Sequence, residues 1–331
     1  MKRLDLLRYL LPVQGRLGAV EAELERILHS DVAVAERLAT HVRSGRGKRL
    51  RPALVLLASR FCGASGDADV RFGAVFELVH TATLVHDDVI DHATVRRGAP
   101  TLNKLWGNTL TVLFGDLLYL HAMTSAIAGR SWRMMEIFSD VTTRMIEGEL
   151  IQNDVLFNIE TTRQDYFEIQ ERKTALLFAG CTETGAVLAG WGREQTASLR
   201  TYGLELGRAF QLVDDLLDYT ASADSLGKPV LSDLREGKLT LPLLTLLERD
   251  RSAVEPLIRE AWECSGEASL PQGLEQRLRG LIDQHDALSE TRQLAARASE
   301  VARESLRHLP GDPGIQRLLM EIPEYLLART V

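Results

Sequence analysis

Cysteine is scarce in this sequence: Cys62, Cys181 and Cys264 are the only 3, widely separated and without paired spacing. That excludes a disulfide framework, gives no support to a zinc site and makes a reducing, cytoplasmic setting the expectation. Proline is missing between Pro100 and Pro229, and alternating β-branched runs are rare, so long helices are expected there. No window offers about 20 uninterrupted apolar residues, so no transmembrane segment is expected. The opening MKRLDLLRYLLPVQG is broken by Asp5 and Arg8 and does not read as a secretory signal. A basic excess is also lacking: the formal net charge of −7 argues against a nucleic-acid partner.

What the sequence does have is apolar residues, 45% of 331, ample for a large core. No linker composition divides it, and one all-α domain over residues 1–331 is expected. Helices are read at Val20 to Leu28, Val32 to Val42 and Pro52 to Phe61, the last with proline suitably in the first turn. Leu110, Leu113, Leu117, Leu118 and Leu120 recur at helical intervals, as do Ile169, Leu176 and Leu177. Ala221 to Glu236 reads as a polar loop, helix resumes at Leu239 to Glu248, and Leu309 to Pro313 marks a break.

Against this apolar background stands Asp87-Asp88-Val89-Ile90-Asp91, at the end of the run Leu78 to Ile90. Residues i and i+4 share a helix face, so Asp87 and Asp91 point the same way. Crowded carboxylates repel and take up protons unless a cation neutralises them, and hard divalent metals prefer such ligands. One such cluster alone also suits an exposed acidic helix end. A second, Asp214-Asp215-Leu216-Leu217-Asp218, repeats the spacing after Phe210, Leu212 and Val213. Two triplets of equal pitch suggest opposite walls of one metal-filled cleft.

Magnesium commonly keeps one or two protein carboxylates and fills its shell with water and substrate phosphates, so cations that hold phosphate are the next feature to seek. Arg96-Arg97-Gly98 follows the first cluster closely, with arginine forks suited to phosphate and a glycine for a tight turn. Lys48 and Arg51 of GKRLRP lie at a loop-to-helix junction, where backbone N–H groups also favour anions. Lys228 and Lys238 follow the second cluster. His80 and His86 fall on the first aspartate helix, where a lone histidine is more often a hydrogen-bonded core residue than a ligand.

Taken together, ELVHTATLVHDDVIDHATVRRG, FQLVDDLLDY, GKRLRP and LGKPVLSDLREGKLTLP closely resemble the trans-isoprenyl diphosphate synthases, with the long-chain, octaprenyl-type members nearest in pattern. The resemblance runs from Gly47 to the region of Tyr325. It implies an isoprenoid-synthase-type helical bundle around a deep central cavity, a homodimer, and three magnesium ions per active site with substrate bound. The implied reaction is head-to-tail condensation of isopentenyl diphosphate onto an allylic diphosphate. By resemblance, Asp87, Asp88 and Asp91 hold magnesium on the allylic diphosphate, and Asp214, Asp215 and Asp218 supply the opposite wall. Arg96 and Lys228 grip the allylic diphosphate, with Lys238 a further substrate contact; Lys48, Arg51, His80 and Arg97 hold isopentenyl diphosphate. Lys173, Thr174 and Gln211 lie near the reacting carbon. Two departures stand out: Ser232, where many members have glycine or an acidic residue, and Pro323, expected to interrupt a C-terminal helix usually continuous in the family.

In that family a large aromatic residue four or five positions before the first aspartate stops chain growth, and here Ala82 and Thr83 are small. Phe76, three turns down, is a candidate floor of the tunnel or an ordinary core residue, and Tyr119, Phe138 and Met145 could close it instead. The expectation is an all-trans product longer than twenty carbons, as for a quinone side chain, with a geranylgeranyl diphosphate synthase the runner-up. A class I terpene cyclase or a noncatalytic subunit of a heteromeric synthase fits less well, since both aspartate triplets and GKRLRP are intact.

Overall fold

The computed structural model describes residues 9–45, 47–96, 98–220, 230–264 and 270–328. As expected, these residues are overwhelmingly helical. In chain order they form α1 (Gln14–Leu28), α2 (Ala33–Ser44), α3 (Leu50–Cys62) and α4 (Ala68–Ile90), then a hairpin of β1 (Val95–Arg96) and β2 (Ala99–Pro100). Next come α5 (Leu102–Ala128), α6 (Trp132–Asp154), α7 (Arg163–Gln170), a π-helical turn at Glu171–Ala175, α8 (Leu176–Leu188) and α9 (Arg193–Thr220). The short α10 (Ser232–Arg235) precedes α11 (Leu241–Glu263), α12 (Gln272–Gln284), α13 (Ala287–Leu306) and α14 (Pro313–Leu327). The hairpin, pairing Val95 with Pro100 and Arg96 with Ala99, is the only sheet among the described residues.

Two compact units divide the chain. The first comprises residues up to Thr142, Leu177–Gly203 and Leu306–Leu319; the second, Thr143–Leu176, Leu204–Ser305 and the chain from Met320. In the first unit α3 is a core helix, with Ala53 to Ala58 fully buried, as a helix apolar on all sides must be. It stops at Gly63, whose φ of 77° suits glycine, and Ala64 N–H closes the end on Ser59 O at 2.9 Å. Helix α4 packs chiefly on α5. Helix α5 bends at Gly107 (φ 80°, ψ 164°). Helix α5 is long and apolar enough to cross a membrane by length and composition alone; one face buries Phe114, Gly115, Leu118 and Ala122, and Leu113, Leu120 and Ile127 stay more than half exposed. The second unit has its own core, with Leu212, Val213, Leu216, Leu243, Leu246 and Ile258 at its centre.

Two local expectations need correction. The segment read as a loop through Glu236 contains α10, which begins after Leu231 in a left-handed conformation (φ 55°). Pro323 does not interrupt the last helix: α14 runs through it. A proline there cannot donate to the carbonyl of Leu319, four residues earlier. The fully buried Tyr202 supplies the missing bond, its hydroxyl donating to Leu319 O at 2.7 Å.

This substitution of one donor for another is testable. Tyr202→Phe leaves a buried carbonyl without that donor and is expected to destabilise the fold by about 1–3 kcal/mol. Pro323→Ala in the same background restores a backbone N–H and is expected to recover part of the loss. Urea unfolding of the single and double variants measures both, and equal costs with and without Pro323→Ala would refute the compensation.

Candidate active site

In the first unit the last turn of α4 carries the first aspartate cluster. Asp91 N–H bonds Asp87 O at 2.8 Å, the i+4 relation that puts both residues on one face, as the spacing predicts. Asp87 and Asp91 are half-buried, whereas Asp88 is buried. Burial raises the Asp88 carboxyl above its ordinary range, Arg96 opposes the rise, and Asp91 adds to it. Arg96 Nε donates to Asp88 Oδ1 at 2.6 Å. That contact is delivered by the hairpin: Gly98 turns it with φ 79°, and Asn103 Nδ2 ties its base by donating to Asp88 O and Ala93 O, both at 2.9 Å. Arg97 lies outside the described residues.

A pocket in this unit is lined by Asp88, Arg96 and His80, together with Arg49, Glu77 and Thr81. Three of the sequence-predicted residues therefore meet there. Lys48 and Arg51 do not line it: Lys48 is exposed ahead of α3, and the Arg51 guanidinium lies 5.2 Å from the Phe178 ring. His86 is half-buried, its Nε2 bonding Val112 O of α5 at 3.1 Å beside Gly115, where a side chain would collide with its ring. Ala82 is buried and Thr83 half-buried, with Thr83 Oγ1 donating to His80 O at 2.8 Å. Phe76 is fully buried, its ring set against Gly180. The Tyr119 and Phe138 rings lie 5.8 Å apart.

In the second unit the second cluster ends α9. Asp214 is exposed, whereas Asp215 and Asp218 are buried. Asp215 accepts from Tyr166 Oη at 2.5 Å and from Gln211 Nε2 at 2.8 Å, one bond on each oxygen. Burial, then Asp233, pushes its carboxyl up to about 7 against those two hydrogen bonds. Asp218 accepts from Ser232 Oγ at 2.8 Å, Ser232 N at 3.2 Å and Asp233 N at 3.3 Å, capping α10. The unusual Ser232 thus has a specific partner.

Thr174 and Lys173 sit on the π-helical turn. Thr174 Oγ1 donates to Gln211 Oε1 at 2.9 Å, which orients the amide whose nitrogen holds Asp215. Lys173 Nζ lies 2.5 Å from Glu149 Oε2. Two glycines give the turn its place: a Cβ at Gly148 would lie 2.8 Å from Arg172 Cβ, and one at Gly207 would lie 2.6 Å from Ala175 Cα. Lys238 pairs with Glu236 at 2.7 Å, and Met145 is buried. Lys228 lies outside the described residues. Tyr166 and Gln170, whose amide donates to the Tyr166 oxygen at 3.3 Å, were not apparent from the sequence. Only the capping box of Thr162 with Asp165, which opens α7, signals that a helix fixes Tyr166.

The donor set fits magnesium in kind. It is all oxygen, and burial, the main cause of the raised carboxyls of Asp88 and Asp215, disfavours their charged form in a way that a hard cation relieves. Among the described residues no three His, Cys, Asp or Glu side chains form a ready-made metal cage. Such a set suits an ion that completes its shell with water and substrate oxygens.

Comparison with known proteins agrees with this chemistry. Residues 32–270 match the polyprenyl synthetase family. The chain is 37% identical to an octaprenyl diphosphate synthase of Escherichia coli (strain K12) over 309 residues, covering 93% of this chain and 94% of that one. A decaprenyl diphosphate synthase from Rhodobacter capsulatus superposes with a TM-score of 0.91 at 34% identity, covering 98% of this chain and 99% of that one. A polyprenyl synthase from Caulobacter crescentus CB15, complexed with calcium and isoprenyl diphosphate, gives a TM-score of 0.89 at 34% identity, with 98% of both chains covered. With a family match over most of its length and relatives this similar end to end, the chain belongs to the polyprenyl synthetase family.

Proposed function

We propose that the protein is a magnesium-dependent trans-polyprenyl diphosphate synthase that adds isopentenyl diphosphate to an allylic diphosphate and makes products longer than twenty carbons. It is a prenyltransferase. The observation that carries the reading is the Asp88–Arg96 pair in a pocket with His80, at the end of a helix that stacks Asp87 on Asp91. In this reading Asp87, Asp88 and Asp91, and likewise Asp214, Asp215 and Asp218, would hold magnesium on the allylic diphosphate, with three ions bound. When bound, the metal stabilises charge on the departing diphosphate. Asp214 is the exposed member of its triplet, whereas Asp215 and Asp218 also accept hydrogen bonds from Gln211 and Ser232.

Arg96 and Lys228 grip the allylic diphosphate, Lys238 is a further substrate contact, and Lys48, Arg51, His80 and Arg97 hold isopentenyl diphosphate. Lys173, Thr174 and Gln211 face the reacting carbon. The allylic C–O bond breaks, the isopentenyl double bond attacks the resulting cation to form a C–C bond, and the departed diphosphate takes the proton that restores the double bond. Exclusion of water protects the cation. The free thiols of Cys62, Cys181 and Cys264 agree with a cytoplasmic location. A homodimer agrees with the outer face of α5, where Leu113, Leu120 and Ile127 repeat every seventh residue and are all more than half exposed.

Four outcomes check this reading. Purified protein supplied with magnesium and both diphosphates is expected to yield products longer than twenty carbons after dephosphorylation and chromatography, and absence of condensation would sink the proposal. In the same assay Asp87→Asn or Asp214→Asn is expected to lower the rate about a hundredfold or more while the fold, followed by circular dichroism, persists. Ala82→Phe is expected to shorten the product to fifteen or twenty carbons, because a ring at this buried position fills the space about 7.5 Å, five residues of helix, below Asp87. Unchanged length would remove Ala82 from the elongation path. Finally, Leu120→Glu places a charge in the middle of the α5 stripe and is expected to convert a dimer to monomers in light scattering; an unaltered mass would move the interface elsewhere.

A further inference from the structure

Between Lys48 and Arg51 lies an arginine to which the proposed chemistry gives no task. Arg49 adopts the left-handed conformation (φ 51°, ψ 36°), which costs a non-glycine residue on the order of 1 kcal/mol. Its carbonyl accepts from Ala53 N at 3.1 Å, so it is the point at which the loop becomes α3. Its guanidinium holds two other helices. Nε and Nη2 donate to the two carboxylate oxygens of Glu21 on α1, at 2.6 and 3.1 Å, and Nη1 donates to Glu77 Oε1 on α4 at 2.7 Å. The Glu77 side chain is only 7% exposed and that of Arg49 19%, so their pairing is well shielded from water.

Glu77 stands one turn before His80 on α4, and Thr81 Oγ1 donates to Glu77 O at 2.7 Å. Arg49, Glu21, Glu77, His80 and Thr81 all line the same pocket. The charges exclude a simpler role. Two carboxylates face one guanidinium, leaving the triad net negative, the wrong sign for receiving a diphosphate. Three of the five guanidinium N–H groups are already engaged.

We propose that Arg49 is a positioning residue: by clamping Glu77 and Glu21 it holds the segment bearing Lys48 and Arg51 in fixed register with the turn of α4 bearing His80, and so shapes the isopentenyl diphosphate site. The inference rests on the substrate assignment above. Lysine keeps the charge but cannot reproduce the fork that engages two glutamates at once. The left-handed backbone is held against its own strain by that fork, so losing the fork releases the junction rather than one contact. A displacement of about 1 Å at a binding or reacting group commonly costs up to a hundredfold.

Arg49→Lys, Glu77→Gln and Glu21→Gln are compared with the unmodified protein by steady-state kinetics in each diphosphate and by thermal unfolding. Arg49→Lys and Glu77→Gln are each expected to raise KM for isopentenyl diphosphate about tenfold, with KM for the allylic diphosphate nearly unchanged. Glu21, half on the surface, is expected to give a smaller rise of the same kind. The Arg49→Lys/Glu77→Gln double variant is expected to cost less than the product of the two single effects, as for members of one network. Equal rises in both KM values, or a lowered unfolding temperature with neither KM changed, would reduce the triad to a structural ion pair and overturn the inference. If Arg49→Lys fails to fold, Glu21→Gln decides on the same selectivity. Failure of the substrate assignment is separately visible, since the unmodified protein would then condense nothing.

Discussion

Burying a carboxylate in a helical protein costs several kcal/mol unless hydrogen bonds or an opposite charge offset it, and this constraint organises the region around both aspartate clusters. Asp88 is met by Arg96, Asp215 by Tyr166 and Gln211, and Asp218 by Ser232 and the Asp233 amide. Tyr166 and Gln211 lie on the regular helices α7 and α9, whereas three departures from regular α-helix serve the other contacts. Arg96 comes on a two-residue hairpin, the Gln211 amide is oriented from the π-helical turn, and Ser232 opens a four-residue helix behind a left-handed leucine.

Much of this was legible in the sequence because it depends on short spacing. The pitch of the aspartate triplets, the long proline-free stretch and the glycine after Arg97 each have one local consequence: a shared helix face, helices and a tight turn. His80, Asp88 and Arg96 line one pocket, and all three lie on α4 or just beyond it. Arg49 could not be told from its neighbours. GKRLRP contains three arginine or lysine side chains of equal formal charge before its proline helix turn is complete, and what separates Arg49 from Lys48 and Arg51 is the position of Glu21 and Glu77, 28 residues away on either side.

Pro323 shows the same limit in reverse. By local rules it should break α14, and it fails to do so because Tyr202, 117 residues from Leu319, supplies the bond that proline cannot. Sequence rules for proline assume that a freed carbonyl stays unsatisfied. Where a buried hydroxyl is at hand the rule loses its force, and no local pattern around Pro323 reports it.

The π-helical turn extends this reasoning to Lys173 and Thr174. Adding one residue to a helical turn shifts the angular positions of the side chains that follow, so adjacent residues can be aimed at different helices. Lys173 turns to Glu149 on α6 while Thr174, next in sequence, turns to Gln211 on α9. Such a turn is wider than an α-helical one and needs room, and Gly148 and Gly207 provide it: a methyl group on either would press on the turn at less than 3 Å. The glycines lie on the same two helices that receive Lys173 and Thr174. Close approach and divergent aim are therefore one arrangement, in which the helices that make space for the extra residue also hold the two side chains it redirects.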